Sequence, residues 1–355
     1  MSRFQKIAAH LTDYGLDALL ITSEPNRLYA TGFHSSAGAA LVTPSESYFF
    51  TDSRYIEAAR RQVAEGVVEE STRERNTDQL LTEALRRHGV RRLGYEDTRT
   101  TVAEYGRLKG KLPAELTPAR DLLENLRASK EPCEIERMVK AQRIAEAALT
   151  EVLNFIRPGR TEQEIAAFLQ YQMLLRGAER MSFDPIVVSG ANSSMPHGVP
   201  SEKPVERGDF VTMDFGCVYG GYCSDMTRTV AVGFATEEME RVYHTVLQAQ
   251  IAGIAAARAG VTGAAIHAAG EAVIAQAGYG ACFGHGFGHS LGIEIHEGPN
   301  AAPAGKRPMP VGAVISAEPG IYLPAQFGVR IEDVLVLRDD GCEDITLAGK
   351  DLMIL

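Results

Sequence analysis

No two cysteines in this chain stand as a CxxC pair. The five, Cys133, Cys217, Cys223, Cys282 and Cys342, are scattered and odd in number. That argues against a disulfide framework or a structural zinc knuckle and suits reduced thiols in a cytosol. Basic residues are also in deficit. The 36 Lys and Arg against 46 Asp and Glu leave a formal net charge of −10, which argues against nucleic acid or an anionic membrane as partner. No apolar run reaches spanning length, and no basic-then-apolar leader precedes the first helix-like stretch, so a cytoplasmic location is expected. What remains is ordinary soluble material, 45% hydrophobic and 23% charged, over 355 residues, a length that suits two domains.

The first 124 residues alternate short helical and strand patterns and predict a small α/β domain. FQKIAAHL has helical spacing, DALLITS reads as a strand, and GAALVTP and YFFTDS read as strands joined at Pro44 and Ser45. SRYIEAARRQV and TDQLLTEALRRHG predict helices opened by Ser53 and by Thr77 or Asp78. RRLGYED and AELTPAR predict further strands, with a helix between them near Thr101 to Leu112. This stretch holds no acid–histidine cluster and no phosphate loop. A break at Asp121 to Glu131 leads into an α+β region, residues 125–355, that opens with the long amphipathic helix CEIERMVKAQRIAEAALTEVLNFI. Thr161 with Glu164 forms the capping box of the helix after it.

Chemistry concentrates in this second region. VTMDFGCVYGGYCSDMTRTVAV reads as a β-hairpin turning near Tyr219, Gly220 and Gly221. A turn centred on Tyr219 and Gly220 puts Asp214 directly opposite Asp225, with Cβ atoms roughly 4.5–5.5 Å apart. Like charges so placed need a counter-charge, which two metal ions about 3.5–4 Å apart would supply. Cys217 and Cys223 lie beside these acids, but the carboxylate-rich setting favours small packing residues over thiolate ligands.

The construction recurs. GDFVTMDFG (208–216) matches GAVISAEPG (312–320) in character, aligning Asp214 with Glu318, and GVRIEDVLVL carries Glu332 on a second return arm. Upstream, RPGRTEQEIAAF (157–168) matches RAGVTGAAIHAA (258–269), and Gly177 pairs with Gly278. Helix–helix–hairpin therefore occurs twice, an internal duplication in which each hairpin presents two acids. One strand acid beside a turn is usually just solvated; four at matching places point to a metal centre. Three histidines, His285, His289 and His296, crowd the glycine-rich stretch FGHGFGHSLGIEIHEGP, where spacing alone does not choose the ligand. His197, in SSMPHGVP, occupies a polar loop.

Taken together, MPHG, the DFG and SDMTRT arms, GHGFGH with IHEGP, AEPGIY and VRIED resemble the metallopeptidases of the pita-bread fold. Within them the chain is most similar to the Xaa-Pro peptidases, aminopeptidase P and prolidase, whose N-terminal domain NRLYATGF and YFFTDSRY also resemble. The resemblance implies an α+β pita-bread catalytic domain with internal pseudo-two-fold duplication. A smaller creatinase/prolidase-type α/β domain would precede it, residues 1–124 before 125–355. It implies two divalent metal ions per chain, with Asp214 on one, Asp225 and Glu332 bridging, and His289 and Glu318 completing the set. One imidazole among carboxylates suits Mn²⁺, with Co²⁺, Zn²⁺ and Fe²⁺ as competitors.

The implied reaction is hydrolysis of the N-terminal Xaa-Pro bond of peptides with proline in second position, with water activated between the metals as nucleophile. Glu318 would accept the proton, His197 and His296 would face the substrate carbonyl or leaving group, and His285 and Thr227 would orient ligands. A homodimer is implied as well. Three other readings compete: an Xaa-Pro dipeptidase (prolidase), a metal-free creatinase-like hydrolase, and a non-catalytic binding protein. The last two lack the full ligand set. Prolidases commonly carry an Arg four residues after the second histidine, where it clamps a dipeptide's carboxylate. This chain has Asn300 there, with Arg307 in the next loop, which favours aminopeptidase P-like activity.

Overall fold

The computed structural model describes residues 1–355, which divide by their contacts into Met1–Arg127 and Ala128–Leu355. In the first unit, Ser2 and Gln5 form a capping box that starts α1 (Arg3–His10). There follow β1 (Ala18–Ile21), α2 (Glu24–Thr31), β2 (Ala39–Val42), β3 (Ser47–Thr51), α3 (Ile56–Gln62) and β4 (Val67–Glu70). The unit closes with α4 (Thr77–Arg87), β5 (Arg92–Tyr95), α5 (Val102–Lys111) and β6 (Glu115–Pro118). The strands form one mixed sheet in the order β4-β3-β2-β1-β5-β6, and β1, β2 and β3 are buried throughout because helices cover both faces.

Two elements here escape a periodicity reading. The EPNRLYAT segment of α2 is polar in composition, yet Asn26 to Thr31 are buried, so tertiary contacts rather than an apolar stripe hold the helix. The half-buried VVEE of β4 is an edge strand. The expected caps also move. Asn76 with Gln79, not Thr77 or Asp78, caps α4, and α3 begins after Tyr55, without the Ser53 cap. The break at 121–131 contains a helix, α6 (Leu122–Ala128).

The second unit opens with α7 (Pro132–Phe155) and α8 (Glu162–Leu175), the latter with the expected Thr161–Glu164 capping box. Short strands β7 (Arg180–Met181) and β8 (Ile186–Ser189) follow, then β9 (Phe210–Phe215), β10 (Cys217–Tyr219), β11 (Tyr222–Cys223) and β12 (Met226–Ala231). The series repeats as α9 (Glu237–Ala256), α10 (Gly263–Gln276), β13 (Gly288–Ser290), β14 (Glu297–Ala301), β15 (Val314–Ala317), β16 (Gly320–Leu323), β17 (Phe327–Arg330) and β18 (Asp333–Leu337), with β19 (Cys342–Asp344) added. The halves agree in detail. Thr161 bridges Pro204 as Thr262 bridges Pro308, and Gly159 N donates to Val205 O as Gly260 N donates to Met309 O. In the first half α7 and α8 bury their apolar faces against β8, β9 and β12 through Leu149, Val152, Ile165, Leu169, Val187, Met213 and Val230. The expected duplicated α+β unit, preceded by a smaller α/β one, is what the chain forms.

The hairpin register differs from expectation. Asp214 stands opposite Thr227, not Asp225, and Tyr219 stands opposite Tyr222. The turn is Gly220–Gly221, with φ of +57° and +78°, a two-residue turn that only glycine-like positions close without strain. Moving the centre from Tyr219–Gly220 to Gly220–Gly221 makes the Asp214–Asp225 relation diagonal along one face. In the second hairpin Ala317 pairs with Asp333 and Gly320 with Arg330, so Glu318 and Glu332 between them stand directly opposite. The acids therefore do not occupy matching places in the two hairpins: the counterpart of Glu332 is Thr227.

Candidate metal centre

The two hairpins and the β13–β14 segment converge on a cavity of about 430 Å³ lined by Asp214, Asp225, His289, Glu318 and Glu332, with His197, His285 and His296 around it. Ligand atoms of Asp225, His289 and Glu332 all lie within 4.8 Å of one another. His289 Nε2 is 3.4 Å from Asp225 Oδ2 and 3.4 Å from Glu318 Oε1. Of the residues that the resemblance assigns to the site, Thr227 alone does not line the cavity. Its Oγ1 donates to Glu332 Oε2 at 2.7 Å from behind.

Each side chain is held by an identifiable device. Phe287, just ahead of the His289 strand, inserts between α9 and α10, where a Cβ on Gly253 or Gly270 would come within 2.1 or 2.6 Å of its ring. Its fully buried ring contributes about 1.5–3 kcal/mol to fixing that strand. Ser316 Oγ accepts from His289 N and donates to Glu318 Oε1, both at 2.9 Å, coupling two of the site residues. Asp225 lies just outside the ladder, and buried Gln142 of α7 serves its backbone: Nε2 donates to Asp225 O at 3.0 Å and Oε1 accepts from Asp225 N at 3.4 Å.

The electrostatics explain what such a site lacks on its own. Burial pushes Asp225 up to about 7 against its bond to His289, with repulsion from Asp214 adding to the rise. Burial raises Asp214 despite Arg330, and burial with repulsion from Asp225 and Glu318 raises Glu332 well above the carboxylate range. Burial pulls His289 down, but its bond to Asp225 and the charge of Glu318 prevail and lift it to about 9. Asp214 Oδ1, Asp225 Oδ1 and Glu332 Oε1 are buried without a hydrogen-bond partner. An unsatisfied buried acceptor costs about 1–3 kcal/mol, more when charged. Three orphaned carboxylate oxygens around one imidazole fit divalent cations, which would satisfy them and displace the retained protons.

Around this cluster His296 packs edge-on against His289, ring centroids 4.4 Å apart, and burial with the charge of His289 lowers its pKa. His285 bonds to Tyr322 Oη at 3.0 Å and to Gly286 O at 2.8 Å, and burial lowers it too. His197 lines the cavity from an exposed loop position. The thiols of Cys217 and Cys223 are buried away from the cavity and pushed up to about 11 and about 12 by burial, as packing residues would be.

Two site residues were missed in the sequence. Arg330, fully within the protein, donates to Asp214 Oδ2 at 2.6 Å, to Tyr322 Oη at 2.8 Å and to Thr227 Oγ1 at 3.1 Å, supplying a fixed cation beside the acids. It precedes Glu332 by two in VRIED, so strand alternation put it on the same face and could have flagged it. Tyr322, four residues beyond Glu318 in AEPGIY, carried no comparable signal. Asn300 lines the cavity and Arg307 does not.

Comparison with known proteins adds a lineage to this geometry. Residues 136–339 match Metallopeptidase family M24, and residues 3–129 match the Creatinase/Prolidase N-terminal domain. The uncharacterized peptidase YqhT of Bacillus subtilis is 40% identical over 99% of this chain and 100% of its own length. Among solved structures, an Xaa-Pro dipeptidase from Bacillus anthracis superposes with a TM-score of 0.96 at 39% identity, covering 99% of both chains. An X-Pro aminopeptidase from Thermotoga maritima MSB8 superposes at 0.92 with 35% identity, covering 97% of this chain and 99% of that one. The fold is thus that of the pita-bread peptidases.

Proposed function

This chain belongs to metallopeptidase family M24 and is a metallo-exopeptidase, and from that premise we propose that it removes the first residue from peptides with proline in second position, in the manner of aminopeptidase P. The observation that carries the reading is the set of buried carboxylates with orphaned oxygens converging on His289. Asp214, Asp225, His289, Glu318 and Glu332 would hold two divalent ions, with Mn²⁺ favoured by the oxygen-rich donor set. When bound, such ions polarise a carbonyl and make a water nucleophile available near neutral pH. Residues 1–124 and 125–355 are the domains of the proposal, with every cavity residue in the second, and the protein acts as a cytoplasmic homodimer.

The chain's own residues supply the rest. Arg330 anchors Asp214 so that one carboxylate oxygen stays turned to the cavity. Glu318, oriented by Ser316, takes the proton released as water attacks. His296, whose charged form burial disfavours, and His197 hydrogen-bond through ring N–H groups to the oxyanion, and the proton held by Glu318 passes to the leaving nitrogen. The Xaa-Pro amide nitrogen carries no hydrogen, so recognition cannot rest on that donor. Phe183, Ile186 and Ile295 offer apolar wall for a pyrrolidine ring instead.

Dipeptide hydrolysis is the second reading, supported by the name of the Bacillus anthracis relative. Assay of Xaa-Pro against Xaa-Pro-Xaa peptides, on dialysed protein and with Mn²⁺ restored, tests both. Activity independent of metal, or cleavage of neither substrate, would refute the proposal.

A further inference from the structure

Glu162, the first residue of α8, is fully buried and takes no part in the machinery described so far. Its carboxylate accepts from five donors. Ser189 N (2.6 Å) and Oγ (3.0 Å) and Asn192 Nδ2 (3.1 Å) reach Oε1, while Ser201 N (3.0 Å) and Oγ (2.6 Å) reach Oε2. Asn192 Nδ2 also lies 3.3 Å from Oε2. Lys203 stops short of it, bonding Ser189 Oγ and Asp209 instead. All five donors sit at the two ends of one loop, where the chain leaves β8 and where it returns. One carboxylate thus closes residues 190–201 at the neck. His197 lies within that loop, lines the cavity and makes no hydrogen bond of its own. Its placement is therefore inherited from the loop, whose other ties include Gln163 N to Ser201 O at 3.1 Å, Gly328 N to Ser193 Oγ at 2.8 Å and Arg330 Nη1 to Pro196 O at 3.3 Å.

The duplication provides an internal control. Where α8 begins with Glu162, α10 begins with Gly263, and a Cβ there would lie 1.9 Å from Asn300 O. In that half Ser290 N, the counterpart of Ser189 N, donates to Asn300 Oδ1 at 3.2 Å, so a neutral amide does the joining. The scaffold alone evidently does not require a buried carboxylate at this position. A buried charge is costly unless fully bonded, and the first half keeps one where it closes the long connection 190–201 that carries His197. In the second half the loop histidine, His296, stands directly ahead of β14, with only residues 291–296 between β13 and β14, and His289 is fixed in a strand.

We infer that Glu162 is a positioning residue for His197: by clasping both ends of residues 190–201 it holds that imidazole over the carboxylate cluster. The inference rests on the proposed role of His197 toward the substrate carbonyl. Displacement of a reacting group by about an ångström costs on the order of 10²-fold in rate. Glu162→Ala is therefore expected to lower kcat by roughly 10–100-fold, with KM and bound metal little changed. Glu162→Gln, which keeps the shape but not the charge, should fall between it and wild type.

The deciding measurement is the same substitution in a His197→Ala background, where it should cause no further loss of kcat. In parallel, hydrogen exchange of metal-free protein should quicken across residues 190–201 in Glu162→Ala while β9 keeps its protection. Additive losses in the double variant, unchanged kcat, loss of metal, or unaltered loop exchange would each overturn the inference. If Glu162→Ala does not fold, Glu162→Gln and Ser201→Ala carry the same comparisons. Should wild type cleave no Xaa-Pro peptide, the functional reading fails separately, and the exchange measurement still decides whether Glu162 holds the loop.

Discussion

Asp225 is the residue on which the site turns, because its buried Oδ1 has no partner and its Oδ2 faces His289. Asp225→Asn is predicted to abolish activity and lower bound metal while leaving the fold intact; two metals per chain with full activity in that variant would rule out the assigned site. His197→Ala is predicted to lower kcat about 10²–10⁴-fold with metal retained, since it stands outside the ligand cluster. A pH dependence follows from the upward shifts of Asp225, from 3.8 to about 7, and His289, from 6.5 to about 9. Each stabilises the ion-free fold fully below its unfolded value and loses that contribution as pH rises through its folded value. Ion-free stability from these groups should therefore decline from about pH 4 to 9, while metal binding, which must expel the same protons, strengthens. Melting dialysed and Mn²⁺-loaded protein across that range checks the sign: the gain in Tm on loading should widen with pH, and a gain greatest in acid would contradict it. At this scale the sequence was informative about acids and histidines, because their chemistry is rare in a turn-rich stretch. Strand alternation places Arg330 on the face of Glu332, but its task stays hidden until its partner Asp214, distant in sequence, stands across from it.

Among the elements, helix ends and hairpins were legible to different depths. Thr161 with Glu164 could be read as a cap because both halves of the box are local. At α4 three capping residues, Asn76, Thr77 and Asp78, stand in a row, and the sequence alone does not choose among them. The first hairpin is legible as a hairpin but not in its register, since Tyr219-Gly220-Gly221 permits two turn centres and only backbone φ decides between them. The consequence lies at Gly216, in register with Asp225 across the ribbon. A Cβ there would sit 1.9 Å from Ser224 O, backbone that cannot step aside without moving Asp225. Gly216→Ala is predicted to destabilise by about 1–3 kcal/mol, as overpacking does, and to weaken metal binding beyond what the loss of stability explains. Calorimetric titration of the folded variant with Mn²⁺ measures that second effect, and wild-type affinity in a destabilised variant would show that Asp225 is held independently of the corner.

For the whole molecule, the duplication was visible because Thr161 and Thr262, and Gly177 and Gly278, recur at one offset with the same local roles. Its divergence was not: that Thr227 answers to Glu332, and Gly263 to Glu162, depends on register and on which loop each half must carry. Substrate length depends on the same divergence. Asn300 lines the cavity, and its Oδ1 is already engaged by Ser290 N, next to His289. A neutral amide so engaged cannot form a charge-assisted bidentate pair with the terminal carboxylate of a dipeptide. Xaa-Pro-Xaa tripeptides are therefore predicted to show higher kcat/KM than the matching Xaa-Pro dipeptides. Asn300→Arg should narrow the gap, since a hydrogen bond to a charged group contributes on the order of 1.5–3 kcal/mol, less about 0.5–1.5 kcal/mol for the bond Ser290 gives up. The gain should fall in KM if the clamp grips ground and transition states alike, whereas any drift of the His289 strand should appear in kcat and metal content. Arg307 does not line the cavity and offers no substitute from within it. A wild-type enzyme that strongly prefers dipeptides would overturn the argument, because it would require a carboxylate clamp other than position 300.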